Sequence, residues 1–343
     1  MPTITADRLR SIGSSIFQAA GVPGPVAERV SASLVESNLV GHDSHGVIRI
    51  TEYLADLRQG LINPRGEIQV LKDTPTMALL DANWQFGQVA AAEGMAIAIE
   101  KAKASQVAAV GIRRSYHIGR LGEYSLMAAE KGCVGMIGCN SWPCTVSPFG
   151  GIGRALSPNP ISYAAPAGRR APFLLDFATT MCAEGKLNVA RVSGKSVPEG
   201  WILDKEGRPT TNPADFYDGG VILPMGGHKG YALCLLLDIL GGALTGHGCT
   251  CLPEFSVGNG VFMMALDVQA FRPLAEFQDT ADRLFEAIKS GPTAPGFDEI
   301  LVPGEPEFRT REARERCGIP LAETIWQRIV SEAVRVGVDI EKE

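Results

Sequence analysis

Four side chains close to residue 45 have the types that carry out proton transfer and carboxylate binding: Ser44, His45, Arg49 and Tyr53. If the chain is helical from His45 onward, His45, Arg49 and Tyr53 lie along one face, with Ser44 at the start of the helix. A histidine can donate a proton near neutral pH, and the arginine fork pairs with both oxygens of a carboxylate. The segment therefore predicts a site that binds and protonates a small acid. The alternative is a solvated polar helix face.

Three further positions carry matching chemistry. His117 follows a predicted strand at a loop before a helix, where it could be a second acid or base or a nicotinamide contact, or else a histidine held by the backbone. Asp176 ends an apolar strand and could orient a histidine or bind a ribose hydroxyl, unless it caps the following turn. The glycine-rich turn 226–230 enters a helix, so its N–H groups and Lys229 could hold a pyrophosphate, unless the lysine is simply exposed.

Two other classes of chemistry are weakly supported. The pairs His42-x-x-His45 and His247-x-Cys249-x-Cys251 lack a matching second half with zinc-site spacing, so we expect no metal. Ser44 and His45 do not resemble a hydrolase pair, because adjacent side chains on a helix diverge and the chain has no G-x-S-x-G turn.

Composition restricts the class of protein. The chain has 343 residues, of which 45% are hydrophobic, which indicates one large domain or two intertwined domains. A net charge of -6 without a lysine or arginine cluster argues against nucleic acid as a partner. The longest apolar run, 231–244, is too short to span a membrane. With no apolar signal core at the start and eight scattered cysteines, we expect a cytoplasmic protein with reduced thiols.

Hydrophobic spacing predicts helices and strands without a regular βαβ alternation. Helices are predicted at 5–20, 24–40, 45–60, 88–104, 121–131, 229–244 and from 320 onward. Strands are predicted at 68–71, 76–81, 107–112, 134–140, 173–177 and 261–267, with 143–172 mostly loop. Leu156 occupies the third glycine position of the one near-match to G-x-G-x-x-G, so a Rossmann domain is not expected.

Several motifs occur in a recognisable order over about residues 38 to 306. They are Gly41–Arg49 with Tyr53, Ser115-x-His117-x-Gly119, Pro148–Gly151, Asn159-Pro160, Leu175–Thr180, Gly185-Lys186, Pro198-x-Gly200-Trp201 and Lys229–Tyr231. Together they resemble the malate/L-lactate dehydrogenase family of non-Rossmann NAD(P)-dependent oxidoreductases. Thr180 stands where that family has serine, and Ser157-Pro158 where it has Gly-Thr. Trp142 and Cys144 lie in a loop that varies among members, so they assign no substrate.

The resemblance implies an α/β fold with a mixed, largely antiparallel sheet and a helical layer formed by both terminal parts of the chain. It implies a helical domain, residues 1–72 plus 307–343, which carries the His45 and Arg49 segment. Residues 73–306 would then form the domain for NAD(P) binding and dimerisation. Because members are homodimers or pairs of dimers, we expect a homodimer.

The resemblance also implies residue roles. His45 matches a proton donor or acceptor with Ser44 beside it, and His117 a second histidine that some members use instead. Asp176 matches an aspartate near the nicotinamide, and Arg49, together with Tyr53, a binding site for the substrate carboxylate. The expected cofactor contacts are Ser141, Leu174, Leu175, Asp176, Phe177, Ala178, Thr179, Thr180, His228, Lys229, Gly230, Gly304 and Glu305. NAD and NADP both remain open, because the usual discriminating residue belongs to the Rossmann motif.

Three functions follow as hypotheses. The first is reduction of a small 2-oxo acid by NADH or NADPH, or the reverse oxidation of a 2-hydroxy acid. The second is reduction of a cyclic imino acid to proline or pipecolate, with Arg49 holding the carboxylate and the substrate nitrogen receiving the proton. The third is a non-catalytic binding protein, for which His45→Ala would leave every activity unchanged.

Overall fold

Twelve strands lie within residues 2–342, the part of the chain that the computed structural model describes. They are β1 Thr3–Ile4, β2 Gln69–Asp73, β3 Met77–Asp81, β4 Val107–Ser115, β5 Cys133–Cys139, β6 Pro160–Ala165, β7 Phe173–Ala178, β8 Ile202–Leu203, β9 Pro209–Thr210, β10 Val221–Ile222, β11 Asn259–Asp267 and β12 Ile319–Pro320. Seven of them form one sheet in the order β2-β3-β4-β11-β5-β6-β7.

The seven-stranded sheet is mixed and largely antiparallel. Of its neighbouring pairs, β3 and β4 run parallel and the other five run antiparallel. The parallel pair needs a crossover connection, which is the long helix between Gly87 and Ser105. The predicted fold class is therefore confirmed. A smaller sheet has the order β10-β8-β9, and β1 pairs with β12.

Eleven α-helices lie within the same described residues. They are α1 Ala6–Ala19, α2 Gly24–Leu39, α3 Ile50–Arg58, α4 Gly87–Ser105, α5 Gly122–Glu130, α6 Glu184–Val192, α7 Pro213–Tyr217, α8 His228–Asp238, α9 Leu274–Lys289, α10 Glu305–Cys317 and α11 Glu323–Val336. Most predicted helices are confirmed within a few residues. The segment 143–172 is an exception among the predicted loops, because it contains the whole of β6.

The first and last parts of the chain build one helical layer. Ile16 of α1, Leu34 of α2, Tyr53 of α3 and Ile329 of α11 belong to the same buried apolar cluster. The β1–β12 pairing joins Thr3 to Pro320 and so fixes the two ends of the chain beside each other. The helical N- and C-terminal layer expected from the sequence is thus present.

Helices pack on both faces of the seven-stranded sheet. The alanine-rich face of α4, including Ala91 and Ala98, packs with Val110 and Met263 in a fully buried cluster. Small side chains let this helix approach the strands closely, which gives dense packing. On the other face, α8 buries Leu237 and continues into a π-helical turn, so the predicted helix 229–244 ends in a different helical form.

The close contact between α5 and β5 depends on Gly135. A Cβ atom added there would lie 2.6 Å from both Ala128 Cβ and the Ser125 carbonyl oxygen. We expect Gly135→Ala to lower the free energy of unfolding by about 2 kcal/mol, because overpacking must push α5 off the sheet. Denaturant unfolding would measure the change.

Gly185 provides the matched control, since a Cβ added to this residue of α6 meets no atom within 4 Å. Gly185→Ala should leave the stability unchanged or raise it by up to about 1 kcal/mol, because alanine favours helix. Equal stability of the two variants would show that α5 can shift without cost.

Candidate active site

The predicted continuous helix from His45 to Tyr53 is wrong. Asp43–His45 and Val47–Arg49 form two short 3-10 turns separated at Gly46, and α3 begins only at Ile50. The cause is tertiary: a Cβ at Gly46 would lie 2.2 Å from Asn38 Oδ1, which accepts a 2.8 Å hydrogen bond from the Val47 backbone N–H. Asn38 of α2 therefore fixes the break, and His45 does not share a helix face with Tyr53.

The break brings the two candidate histidines together. The His45 and His117 rings stack with centroids 5.7 Å apart and an interplanar angle of 19°. His45 belongs to the helical layer, whereas His117 follows β4 of the sheet. The Trp142 ring lies 6.1 Å from the His117 ring, so the loop that varies among family members contacts one histidine of this pair.

Tyr53 contacts His117 from the interior of the protein. The phenol is fully buried, and its Oη lies 2.6 Å from His117 Nδ1 and 2.8 Å from Gln88 Nε2. Burial raises the pKa of Tyr53 well above its usual value, so the phenol stays protonated. Tyr53 therefore contacts the second histidine, an arrangement that sequence spacing did not indicate.

Ser44 and Arg49 complete the cluster. Ser44 Oγ lies 3.1 Å from His45 Nδ1. Arg49 donates from Nε to the Ser44 carbonyl oxygen at 2.8 Å and pairs through Nη1 with Glu52 at 2.6 Å. These contacts orient a half-buried guanidinium beside the histidine pair, where a planar fork can bind a carboxylate.

Both histidines are neutral near pH 7. Burial, followed by the charges of Arg49, His42 and Arg120, lowers the pKa of His45 to about 3. Burial, followed by Arg49 and His45, lowers the pKa of His117 well below its usual value. Removing a group from water disfavours its charged form, and a nearby cation does the same for an imidazolium. A neutral imidazole can accept a proton from a substrate hydroxyl.

Asp176 lies in β7 and faces Arg120. Its Oδ2 accepts a 2.7 Å hydrogen bond from the Gly122 backbone N–H and is 3.8 Å from Arg120 Nη1. Burial raises the pKa of Asp176, and the Arg120 charge opposes that rise. Arg120 is almost fully buried and also acts electrostatically on His45, so this cation is within range of both groups. The sequence alone does not indicate a role for Arg120, because a single arginine without a surrounding motif gives no signal of function.

Asp176 belongs to a set of predicted cofactor segments that meet around β7. The turn at Gly304 packs closely on Leu174 of that strand, because a Cβ atom added to Gly304, whose φ is +98°, would lie 2.9 Å from Leu174 Cβ. Glu305, the next residue, is engaged by Lys289 Nζ at 2.6 Å. The Glu305 carboxylate is therefore already paired with a lysine. It is the backbone of 304–305 that lies along β7.

The remaining predicted cofactor segments reach the other end of β7. Thr179 donates through Oγ1 to the Asn159 carbonyl oxygen, and Asn159 Oδ1 accepts from the Ser141 backbone N–H at 3.1 Å. The Met225 N–H binds the Thr179 carbonyl oxygen at 3.0 Å, which places the turn before α8 beside the strand. Thr180 instead donates its hydroxyl to the Cys182 carbonyl oxygen. Three other predicted cofactor contacts lie in β7 itself and are partly buried: Leu175, Phe177 and Ala178.

The entrance to α8 is a glycine-rich turn that carries an exposed lysine. Gly226 and Gly227 both have positive φ, at +57° and +63°, and turn the chain into the helix. His228 and Lys229 are exposed at the first turn, while Gly230 is buried. A Cβ atom added to Gly230 would lie 2.1 Å from the Met225 carbonyl oxygen, so a side chain would clash at this position. The N–H groups of Gly227, Lys229 and Gly230 donate to carbonyl oxygens of the turn, so the lysine charge and the positive end of the helix dipole are the features that suit a pyrophosphate.

The histidines that suggested a metal site in the sequence have other partners. Within residues 2–342, no group of three or more His, Cys, Asp or Glu side chains is arranged to hold a metal ion. His42 Nε2 lies 3.4 Å from Glu307 Oε1, and His247 Nδ1 accepts from the Arg114 backbone N–H at 3.0 Å. In the same part of the chain, we find no helix with the length and apolar character of a membrane span.

Known proteins share this whole architecture. A family model described as malate/L-lactate dehydrogenase matches residues 4–330. The chain belongs to the malate/L-lactate dehydrogenase family. Malate dehydrogenase from Pyrococcus horikoshii is 39% identical over 98% of this chain and 96% of its own length. L-sulfolactate dehydrogenase from Methanothermobacter thermautotrophicus is 36% identical over 95% of this chain and 95% of its own.

Similarity in structure extends to an enzyme named for a cyclic imine. The crystal structure of delta1-piperideine-2-carboxylate reductase from Pseudomonas syringae pvar. tomato superimposes with a TM-score of 0.85 at 28% identity, covering 97% of this chain and 100% of that one. Membership of the malate/L-lactate dehydrogenase family makes the protein an oxidoreductase, and the relatives are named dehydrogenases, which act on CH–OH groups. The resemblance predicted from the motifs is thus confirmed, whereas the roles of individual residues stay predictions.

The lowered pKa values of the histidines predict how stability depends on pH. The unfolded chain binds protons at these residues below about pH 6.5, but the folded state does so only near the lowered pKa values. The free energy of unfolding that depends on these neutral histidines is therefore fully present above about pH 6.5. It is lost as the pH falls towards about 3 for His45 and about 4 for His247. Each buried histidine should contribute a slope of up to about 1.4 kcal/mol per pH unit in this range.

Denaturant unfolding of His117→Asn tests this dependence against the unmodified protein between about pH 4 and about pH 6.5. The variant should lose stability less steeply on acidification, because it lacks one of the buried imidazoles, while carboxylate titration is common to both proteins. Parallel stability curves would show that His117 can take up a proton freely in the folded state.

Proposed function

We propose that the protein transfers a hydride between a nicotinamide dinucleotide, NAD or NADP, and a small 2-oxo or 2-hydroxy acid. The observation that supports this most directly is the stacked pair of neutral histidines, His45 and His117, beside the Arg49 guanidinium. A hydroxy acid offers a carboxylate for the arginine and a hydroxyl proton for an imidazole. The names of the malate and sulfolactate dehydrogenase relatives are consistent with that substrate class.

Arg49 binds and orients the substrate carboxylate. Its Nε and Nη1 contacts to Ser44 and Glu52 hold the plane of the guanidinium, so little freedom is lost when a second carboxylate binds. With the carboxylate fixed, the C2 oxygen is directed to the histidine pair. His45 or His117 removes the hydroxyl proton during oxidation and returns it to the carbonyl oxygen during reduction.

The cofactor would lie along β7. The segments that would hold it are Leu174–Thr180, Ser141, His228–Gly230 and Gly304–Glu305, which the fold brings to one strand and the helix entrance beside it. The helix entrance, with its glycines and Lys229, fits a pyrophosphate. When bound, the cofactor supplies or accepts the hydride. The buried Arg120 and Asp176 set the charge beside that strand.

A cyclic imino acid reductase is the second candidate. It is consistent with the structural similarity to the piperideine-2-carboxylate reductase, at a TM-score of 0.85. The same Arg49 would bind the carboxylate, and the proton from a histidine would reach the ring nitrogen. Trp142, in edge-to-face contact with Tyr116 and His117, would then contact the ring of the substrate.

We also propose a homodimer of two-domain subunits in the cytoplasm. An apolar surface of α8 and its continuation exposes Leu236, Ile239 and Leu244, which a second copy of the chain would cover. The domains would be residues 1–72 plus 307–343 and residues 73–306, as the resemblance implies. All eight cysteines are free thiols, which is consistent with a reducing compartment. The partners are then a small carboxylate and a second subunit.

Arg49→Lys separates substrate binding from cofactor binding. We expect KM for the acid to rise by about tenfold to a hundredfold, because a point charge cannot replace the bidentate fork, with Kd for the nicotinamide cofactor within about twofold. Steady-state kinetics and fluorescence titration measure the two quantities. Arg58→Lys is the control, since Arg58 lies at the end of α3, away from the histidine pair, and pairs with Glu332. Equal loss of substrate and cofactor binding would show that Arg49 supports the fold.

A substrate panel tests the proposed reaction itself. NADH and NADPH oxidation should be followed with pyruvate, oxaloacetate, phenylpyruvate, diketogulonate, pyrroline-2-carboxylate and piperideine-2-carboxylate. We expect turnover with a linear 2-oxo acid, which would also identify the cofactor. Turnover confined to the two cyclic imines would favour the second candidate. If neither NADH nor NADPH binds in a fluorescence titration, both candidates fail.

A further inference from the structure

Gln88 is a buried residue with one half of its amide unpaired. It lies in the first turn of α4 and is fully buried, with Nε2 2.8 Å from Tyr53 Oη. Within the described chain, its Oε1 has no hydrogen-bond partner. An unpaired buried carbonyl costs about 1–3 kcal/mol, so this amide calls for an explanation.

The preceding residue explains why Gln88 comes so close to the histidines. A Cβ atom at Gly87 would lie 2.4 Å from the Tyr116 carbonyl oxygen and 2.5 Å from the His117 carbonyl carbon. Only glycine lets the start of α4 touch the backbone that carries His117. The result is a series of three side chains, the buried Gln88 and Tyr53 and the partly buried His117, joined by contacts of 2.8 Å and 2.6 Å.

The orientation of the amide decides where the protons of this series lie. With Nε2 toward Tyr53, the amide donates to the phenol, and Tyr53 donates its own O–H to His117 Nδ1. Neutral His117 then carries its proton on Nε2. In that state Nε2 has no lone pair to take a proton from a substrate hydroxyl.

Rotating the amide by 180° reverses every hydrogen bond in the series. Gln88 Oε1 then accepts from the Tyr53 O–H, and Tyr53 accepts from His117 Nδ1–H. The two ends of a glutamine amide have nearly the same shape, so the same space accommodates both orientations. The rotation pairs the carbonyl oxygen with the phenol, makes the amide nitrogen the unpaired end, and leaves Nε2 of His117 with a free lone pair. Nδ1–H keeps its partner whether or not Nε2 is protonated.

We propose that Gln88 is a positioning residue whose amide oxygen faces Tyr53 and thereby keeps Nε2 of His117 available for the proton of the reaction. The proposal rests on the proposed function, with His117 as the proton donor or acceptor. In oxidation, the hydroxyl O–H bond breaks and its proton passes to Nε2, while the C2–H bond breaks and its electron pair leaves with the hydride to the nicotinamide cofactor. In reduction, Nε2–H returns the proton to the carbonyl oxygen.

The tautomer of His117 tests the proposal without any substrate. The chain has five histidines, so nitrogen-15 NMR of the histidine-labelled protein gives few ring signals, and His117→Asn identifies those of His117. We expect Nδ1 protonated and Nε2 bare at neutral pH in the unmodified protein. In Gln88→Met, Tyr53 has His117 Nδ1 as its acceptor, so the proton should move to Nε2. An Nε2–H tautomer in the unmodified protein overturns the proposal, even if the variant does not fold.

Kinetics on the holoenzyme test the consequence. Gln88→Met should lower kcat by about tenfold while KM stays within about twofold, because the residue acts on proton transfer through His117. In a Tyr53→Phe background, the same substitution should lower kcat no further, since the phenol that connects Gln88 to His117 is gone. Additive losses in the double variant would show that Gln88 acts by another route and would overturn the proposal.

The two measurements also separate this proposal from the proposed function. The predicted tautomer in a protein that turns over no acid or imine of the panel would leave the hydrogen-bond series in place and remove the proposed reaction. Turnover of a 2-oxo acid by a protein with the opposite tautomer would support the reaction and overturn the role of Gln88.

Discussion

The hydrogen bond between the buried Tyr53 phenol and His117 is the contact on which the rest of the site depends. Tyr53 belongs to a helix of the terminal layer and His117 follows a strand of the sheet, so one 2.6 Å contact joins the two halves of the molecule at the place where chemistry is proposed. A bond shielded from water is strong, and breaking this one deprives His117 Nδ1 of the phenol while Tyr53 keeps its contact with Gln88. The break at Gly46 then turns His45 onto the ring that Tyr53 already holds.

Removal of water has opposite effects on the groups of the site. It lowers the pKa values of His45 and His117 and raises that of Asp176, because in each case the charged form is disfavoured. The guanidinium groups remain charged under these conditions. The site therefore combines neutral proton acceptors with fixed positive charge. That combination suits an anionic substrate that must give up a proton as well as bind.

The chemistry of the side chains near position 45 was predictable from the sequence, but their arrangement in space was not. The helical period placed His45, Arg49 and Tyr53 on one face, whereas Asn38, which comes before the segment, breaks the helix through a tertiary contact. Six strands of the large sheet and most helices follow from hydrophobic spacing, whereas the mixed, largely antiparallel sheet was expected only from the resemblance. Strand β6 was missed because its surroundings are rich in proline and glycine. Gln88 and Arg120 were not predicted as site residues, because their roles arise from burial and from neighbours far along the chain.

The pairing of β1 with β12 has a consequence for the order of assembly during synthesis. The terminal layer needs α11, and Arg58 of α3 pairs with Glu332 near the end of the chain. Contacts between such distant residues form late, because the intervening chain must first be made and closed into a loop. The His45 side of the site thus reaches its final packing only after more than 270 further residues, as the separation between Arg58 and Glu332 shows. A nascent chain would carry the sheet and His117 before it could hold a finished substrate pocket.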